Sequence, residues 1–425
     1  MNENLLQYIW KYRLFDNRDL KTTRGETIQI LNVGEHNSDA GPDFFNARIR
    51  CEDTILAGNI EVHIQSSDWR RHFHQNDKAY QNIILHVVHE DDEPIQTTAG
   101  EDILTIELKH RIPKIIIDRY DDLQQLQPFI PCQQHWHKVD EFTRDNWLQR
   151  MLVERLELKC DSIQKLLTET TNNWEEAFYI TLARNFGFKI NALPFELLVK
   201  NIPLNIFAKN KANLFQIEAI LFGVAGFLND NRIKDKYYAD LRKEYAYQKQ
   251  KYKFKEIAVT LWKFLRLRPA NFPQVRLAQF ANLIYRSVHL FSKITEQDNA
   301  KDIKQLFDCS AILYWDTHYT FNDESTKHVK HLGDDATDNI IINTVSPFLF
   351  LYGKVSMQPK LQELAFELLE RLPPESNAII KKWEGLETEV KNAARSQGLL
   401  QLKKHYCDAK LCLQCRVGLK ILKEG

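Results

Sequence analysis

The chain has 425 residues, 44% hydrophobic and 27% charged, a globular balance that excludes global disorder and suffices for two or three cored domains. Lys+Arg and Asp+Glu both number 57, so any attraction to nucleic acid has to come from local patches and not from a net field. No apolar run approaches the ~20 residues of a membrane span, and the opening MNENLLQYIWKYRLFD lacks the basic, apolar and small segments of a signal peptide; a cytoplasmic protein without membrane contact is expected.

Leu5, Ile9 and Tyr12 recur at helical spacing and predict an opening helix over 3–15. Short β-rich runs follow at 27–33, 43–49, 58–64 and 82–88, with a return or edge strand at 103–108; the polar segments between them, including 34–41, read as turns. Between the third and fourth runs, SDWRRHFHQNDKAYQ opens on a Ser/Asp cap and predicts a short helix. From about 140 the period changes to 3.6, with amphipathic patterns at 144–167, 174–187, 213–228, 237–265, 275–293, 301–313 and 358–371. The expected fold class is α+β. A mixed α/β domain over 1–135 is followed by a mainly helical domain over 136–400 and a Cys-containing segment over 401–425.

The run GNIEVHI carries the first chemical signal. Strand alternation puts Ile60, Val62 and Ile64 on one side and Glu61 and His63 on the other. Asp43 opens the preceding strand, and its parity matches Phe45, Ala47 and Ile49, so it faces Glu61 only through a bulge or a strand start. Pro42-Asp43 followed by Glu61-Val62-His63, a helical segment and another strand resembles the PD-(D/E)XK nucleases, with His63 standing where they carry lysine. The resemblance implies a nuclease-like domain in which Asp43 and Glu61 bind Mg²⁺ or Mn²⁺ and His63 orients or activates a water. Six of the fourteen histidines fall in the first 90 residues, so His63, His72 and His74 with one carboxylate also suit Zn²⁺. Arg70 and Arg71 are candidate phosphate contacts.

The segments NSDAGPDFFNA, GNIEVHIQSSDWRRHFH, ILHVV, WKFLRLRPANFPQVRLAQFA, NTVSPFLFLYG and YCDAKLCLQC together resemble a bacterial family known only as a domain of unknown function, across nearly the whole chain. That resemblance implies no activity.

Residues 232–268 hold twelve Lys/Arg against four Asp/Glu, interleaved with tyrosines, a composition that suits nucleic-acid contact. The same tyrosines at helical spacing also read as a core stripe. Arg266, Arg268 and Arg276 flank two prolines as candidate substrate contacts. At the C-terminus, Cys407, Cys412 and Cys415 with His405 have the spacing of a structural Zn²⁺ site. An iron–sulfur cluster would need a fourth thiolate, such as Cys309. Three functions are therefore open: a metal-dependent nuclease acting on nucleic acid, a non-enzymatic nucleic-acid-binding or scaffold protein, and a zinc-dependent hydrolase.

Overall fold

The computed structural model describes residues 1–425 except 38–39, 98–99, 126–128, 211, 288, 322 and 425. It divides into two compact units: Met1–Trp147 with Leu402–Gly425, and Leu148–Gln401. The fold is α+β, with a curled N-terminal sheet followed by a mainly helical region.

In the first unit, helix α1 (Glu3–Lys11) starts where the Asn2 side chain accepts the Leu5 N–H at 2.9 Å, and it buries Leu5, Leu6, Ile9 and Trp10. Six strands follow: β1 (Ile28–Asn32), β2 (Glu35–His36), β3 (Phe44–Cys51), β4 (Thr54–Gln65), β5 (Ile83–Glu90) and β6 (Thr105–Glu107). The order is β1-β3-β4-β5-β6, with β2 on β3. The first three long strands form an antiparallel meander, and β5 and β6 then run parallel to β4. A parallel neighbour requires a crossover. Here the crossover is the histidine-rich segment, with helix α2 (Asp68–Arg71) and 3-10 turns at His74–Asn76 and Lys78–Tyr80. The helix expected there is a single turn.

The crossover has its own small core of Trp69, Tyr80, Ile83, Ile95 and Ile103. Asp92, just beyond β5, fixes the start of α2 by accepting the Ser66 hydroxyl at 2.9 Å, the Ser67 N–H at 2.8 Å and the Ser67 hydroxyl at 2.7 Å. Helix α3 (Lys114–Gln124) and the C-terminal helix Arg416–Glu424 belong to this unit as well.

The expected long helix runs Glu141–Glu169, and the helical unit packs around a single large core. The helix expected over 237–265 ends at Tyr252, where Lys253 turns left-handed at φ 57°. Beyond it Phe254, Ile257 and Trp262 are buried from a largely irregular segment, and the Trp262 indole donates to the Ala225 carbonyl at 2.9 Å. The helix read over 275–293 is two, Pro273–Arg286 and Leu290–Thr295. Among the described residues no helix is long and apolar enough to cross a membrane.

Candidate metal centre

Strand β4 is buried on both faces over its last turns, and Glu61 (4% exposed) and His63 (1%) share one of them. Parallel pairing sets Glu61 beside His86 of β5, and His86 is fully buried. The His63 Nδ1 and His86 Nε2 atoms are 2.9 Å apart, while His63 Nε2 lies 3.1 Å from His72 Nδ1. Glu61 Oε1 is 3.5 Å from His63 Nε2 and 3.2 Å from His74 Nε2. One nitrogen from each of His63, His72 and His74 falls within 4.8 Å of the others. Donors held at about 2.1 Å from one ion stand roughly 3.0 to 3.4 Å apart in octahedral or tetrahedral arrangements, so the 3.1 and 3.2 Å separations match a shared coordination sphere and the 3.5 Å one lies just outside it. The His74 Nε2 atom makes no hydrogen bond among the described residues, although the Glu61 carboxylate is close by. Two close donors that do not hydrogen-bond each other leave room for a shared cation.

A surrounding layer fixes these groups. His63 donating from Nδ1 to His86 Nε2 leaves a lone pair on His63 Nε2, as an orienting partner does for a metal-ligating imidazole. Tyr80 stacks on His74 with centroids 3.9 Å apart, and Trp69 meets the same ring edge-on at 5.4 Å.

Asp43 reaches the same face. Its Oδ2 accepts the Val62 N–H at 3.0 Å and its Oδ1 accepts the Gln7 amide at 2.8 Å, while its own N–H donates to Glu61 Oε2 at 3.2 Å. A bulge between Phe44 and Ala47, with Asn46 left-handed at φ 57°, supplies the break that parity required.

Without a cation, protons and not basic side chains neutralise the buried carboxyls. Burial, and then the charge of Glu61, pushes the Asp43 carboxyl above its ordinary range; burial likewise raises Glu61. Burial lowers His63 to about 2 and His86 to about 3, so both imidazoles are neutral. Glu3, at the start of α1, adds a third acidic group whose charge acts on Asp43, Glu61 and His74. No lysine or arginine among the described residues contacts either buried carboxylate. Arg50 bonds Gln29, at 3.0 Å.

The other sequence candidates fall elsewhere. Arg70 and Arg71 lie on exposed α2 and already face acids, Arg70 at 3.6 Å from Glu93 and Arg71 at 2.7 Å from Asp68. Arg266 and Arg268 belong to the helical unit. Arg276 does not serve as a surface phosphate contact: it is 6% exposed, donates to Gln279 at 3.0 Å and Asn271 at 2.5 Å, and lies over the Phe188 ring. Tyr238 and Tyr245 are buried and the Tyr237 hydroxyl donates to Glu218 at 2.6 Å, which makes these three the core stripe, while Tyr247 is 59% exposed. Sequence reasoning missed Glu3, Gln7 and Tyr80, and it counted His86 among the six N-terminal histidines without giving it a role. It also missed Phe73, which is 67% exposed and left-handed at φ 61° between His72 and His74, a conformation costly for a bulky residue.

An α+β protein with a buried histidine–carboxylate cluster at the crossover of its sheet is the class these features define. The chain belongs to the family described as "Protein of unknown function (DUF2851)", which matches residues 3–378. No curated protein and no solved structure matches it.

Proposed function

We propose that the N-terminal unit is a metal-dependent hydrolase whose centre takes Zn²⁺ or Mn²⁺ on His63, His72, His74 and Glu61, and whose substrate is a nucleic-acid phosphodiester. The carrying observation is the set of 3.1, 3.2 and 3.5 Å separations among imidazole nitrogens and one carboxylate oxygen. Three nitrogens and an oxygen suit a transition metal better than Mg²⁺, which prefers oxygen alone.

A metal held by His63, His72, His74 and Glu61 would supply Lewis-acid activation of a water. Asp43, beside Glu61, would accept that water's proton as its oxygen bonds to phosphorus, the bond from phosphorus to the leaving sugar oxygen would break, and that oxygen would take a proton from solvent. His72 and Phe73 are exposed, so substrate reaches the centre from their side. Two features favour a nucleic acid. The meander, crossover helix and parallel strand follow the order that the PD-(D/E)XK resemblance implies, and an exposed aromatic beside the metal ligands offers a base a stacking face.

The test is cleavage of single- and double-stranded DNA and RNA by metal-free protein resupplied with Mn²⁺, Zn²⁺ or Mg²⁺. Cleavage restored by Mn²⁺ or Zn²⁺, and reduced at least ~100-fold in Asp43→Ala/Glu61→Ala while nucleic-acid retention persists, is the expected result. Equal cleavage by the double variant, or none with any metal, excludes the proposal.

A further inference from the structure

A different group of metal-binding side chains in the same unit is built from cysteines. Cys407 ends a π-turn (Leu402–Cys407), Cys412 opens a 3-10 turn (Cys412–Gln414), and Cys415 immediately precedes the helix Arg416–Glu424. The chain doubles back between them. The Lys410 N–H donates to the Cys407 carbonyl at 3.1 Å, with Lys410 left-handed at φ 52°, and the Cys415 N–H donates to the Cys412 carbonyl at 3.2 Å. Gly418 permits the close approach of the helix to this turn, because a Cβ there would lie 2.1 Å from the Cys412 carbonyl oxygen.

A fourth thiol arrives from far away in sequence. Cys132 is buried in a turn whose His135 N–H donates to the Cys132 carbonyl at 2.9 Å. The segment before it is tied to the C-terminal segment by the Lys410 ammonium donating to the Gln124 carbonyl at 2.6 Å and by Lys403 over the Phe129 ring at 5.3 Å. All six pairs among Cys132, Cys407, Cys412 and Cys415 are near enough for each thiolate's charge to oppose the other's ionisation. None of the four forms a disulfide, and Cys132, Cys412 and Cys415 are buried.

Burial raises all four thiols above their ordinary range, and only part of the surroundings opposes it. The N–H groups of Val417 and Gly418 bond the Cys415 sulfur at the start of its helix, Lys403 acts on Cys407 and Lys410 acts on Cys412. Four neighbouring thiols, once deprotonated, are the donor set of zinc or of an iron–sulfur cluster. We infer that Cys132, Cys407, Cys412 and Cys415 together hold a thiophilic metal centre, a single Zn²⁺ or an iron–sulfur cluster, with Cys132 and not His405 or Cys309 as the fourth ligand. Closed by four protein ligands, the centre is structural: it staples the C-terminal segment to the turn at 132, and its binding energy adds to folding.

The site is independent of the histidine centre, so it is tested in a full-length His72→Ala/His74→Ala background. This protein is expressed with zinc and iron supplied, purified without oxygen, and examined by elemental analysis and by X-ray absorption at the zinc and iron edges. Close to one zinc per chain with four sulfur neighbours identifies Zn²⁺. Iron with acid-labile sulfide and visible absorption identifies a cluster. Cys132→Ser loses the metal, and His405→Gln keeps it. If Cys132→Ser does not fold, the absorption spectrum of the parent protein decides alone, because it counts sulfur against nitrogen. Protein lacking both metals, or a shell of three sulfurs and one nitrogen, overturns the inference.

Discussion

Asp43 and Glu61 are two buried carboxylates side by side, while His63 and His86 are two buried imidazoles held neutral. Without metal, the folded chain keeps the carboxyl protons to a higher pH than the unfolded chain, where such groups ionise near ~4. The folded state therefore binds more protons over that window, and stability falls as pH rises through it. The imidazoles act in the opposite sense. Their folded values of about 2 and about 3 lie below the ~6.5 of the unfolded chain, so their contribution is lost as pH drops below that value. Above ~6.5 only the carboxylates among these four groups still act, and they pull the metal-free melting temperature down towards alkaline pH, while the buried Lys159 ammonium, lowered to about 7, acts the other way. Glu61→Gln should flatten that limb. Mn²⁺ should raise the melting temperature more at pH 8 than at pH 6, because the cation displaces protons from its ligands. Thermal melts of parent and Glu61→Gln, with and without Mn²⁺, check this, and parallel metal-free profiles of the two proteins from pH 6.5 to 9 would contradict it.

At the scale of elements, the positions of the four main strands were readable because each is a short β-rich run between polar turns, while the parallel direction of β5 was not. Observed β1, β3, β4 and β5 all overlap their expected ranges. The turn read over 34–41 includes residues 38–39, which lie outside the described residues. Alternation alone paired Glu61 with His63 on one face and showed that Asp43 needed a break. The break is the bulge at Asn46, a residue type that tolerates φ above zero better than most. Asn46→Gly should therefore leave stability and metal binding close to wild type. Asn46→Val should cost about 1–2 kcal/mol and weaken metal affinity by releasing Asp43 from the Val62 N–H. Denaturant unfolding and metal titration of the two variants read both effects, and equal behaviour of Gly and Val would remove the bulge from the explanation.

What the sequence did not disclose came from remote pairings. Gln7 and Glu3 reach the centre from α1, His86 enters through register with β4, and Tyr80 arrives at the end of the crossover. No local spacing encodes those meetings. Of the two readings of the basic tyrosine-bearing stretch, the core stripe is the one visible in the fold, with Tyr238 and Tyr245 in the helical core. Charge on such a helix is its solvated face.

At the scale of the whole molecule, the chain folds as two units, and the candidate chemistry gathers in the one formed by Met1–Trp147 and Leu402–Gly425. That unit carries both the histidine–carboxylate cluster on its sheet and the four thiols that join residue 132 to the C-terminal segment. The helical unit Leu148–Gln401 contributes Arg266 and Arg268 as surface cations, while Arg276 is part of its interior. The most direct measurement is an anomalous difference map, collected at the manganese edge, from crystals soaked in Mn²⁺, a hard ion that leaves thiolates unoccupied. One peak within about 2.0–2.3 Å of His63 Nε2, His74 Nε2 and Glu61 Oε1 is the predicted result. A map without density there, with the imidazoles bonded only to one another and to the carboxylates, would contradict it.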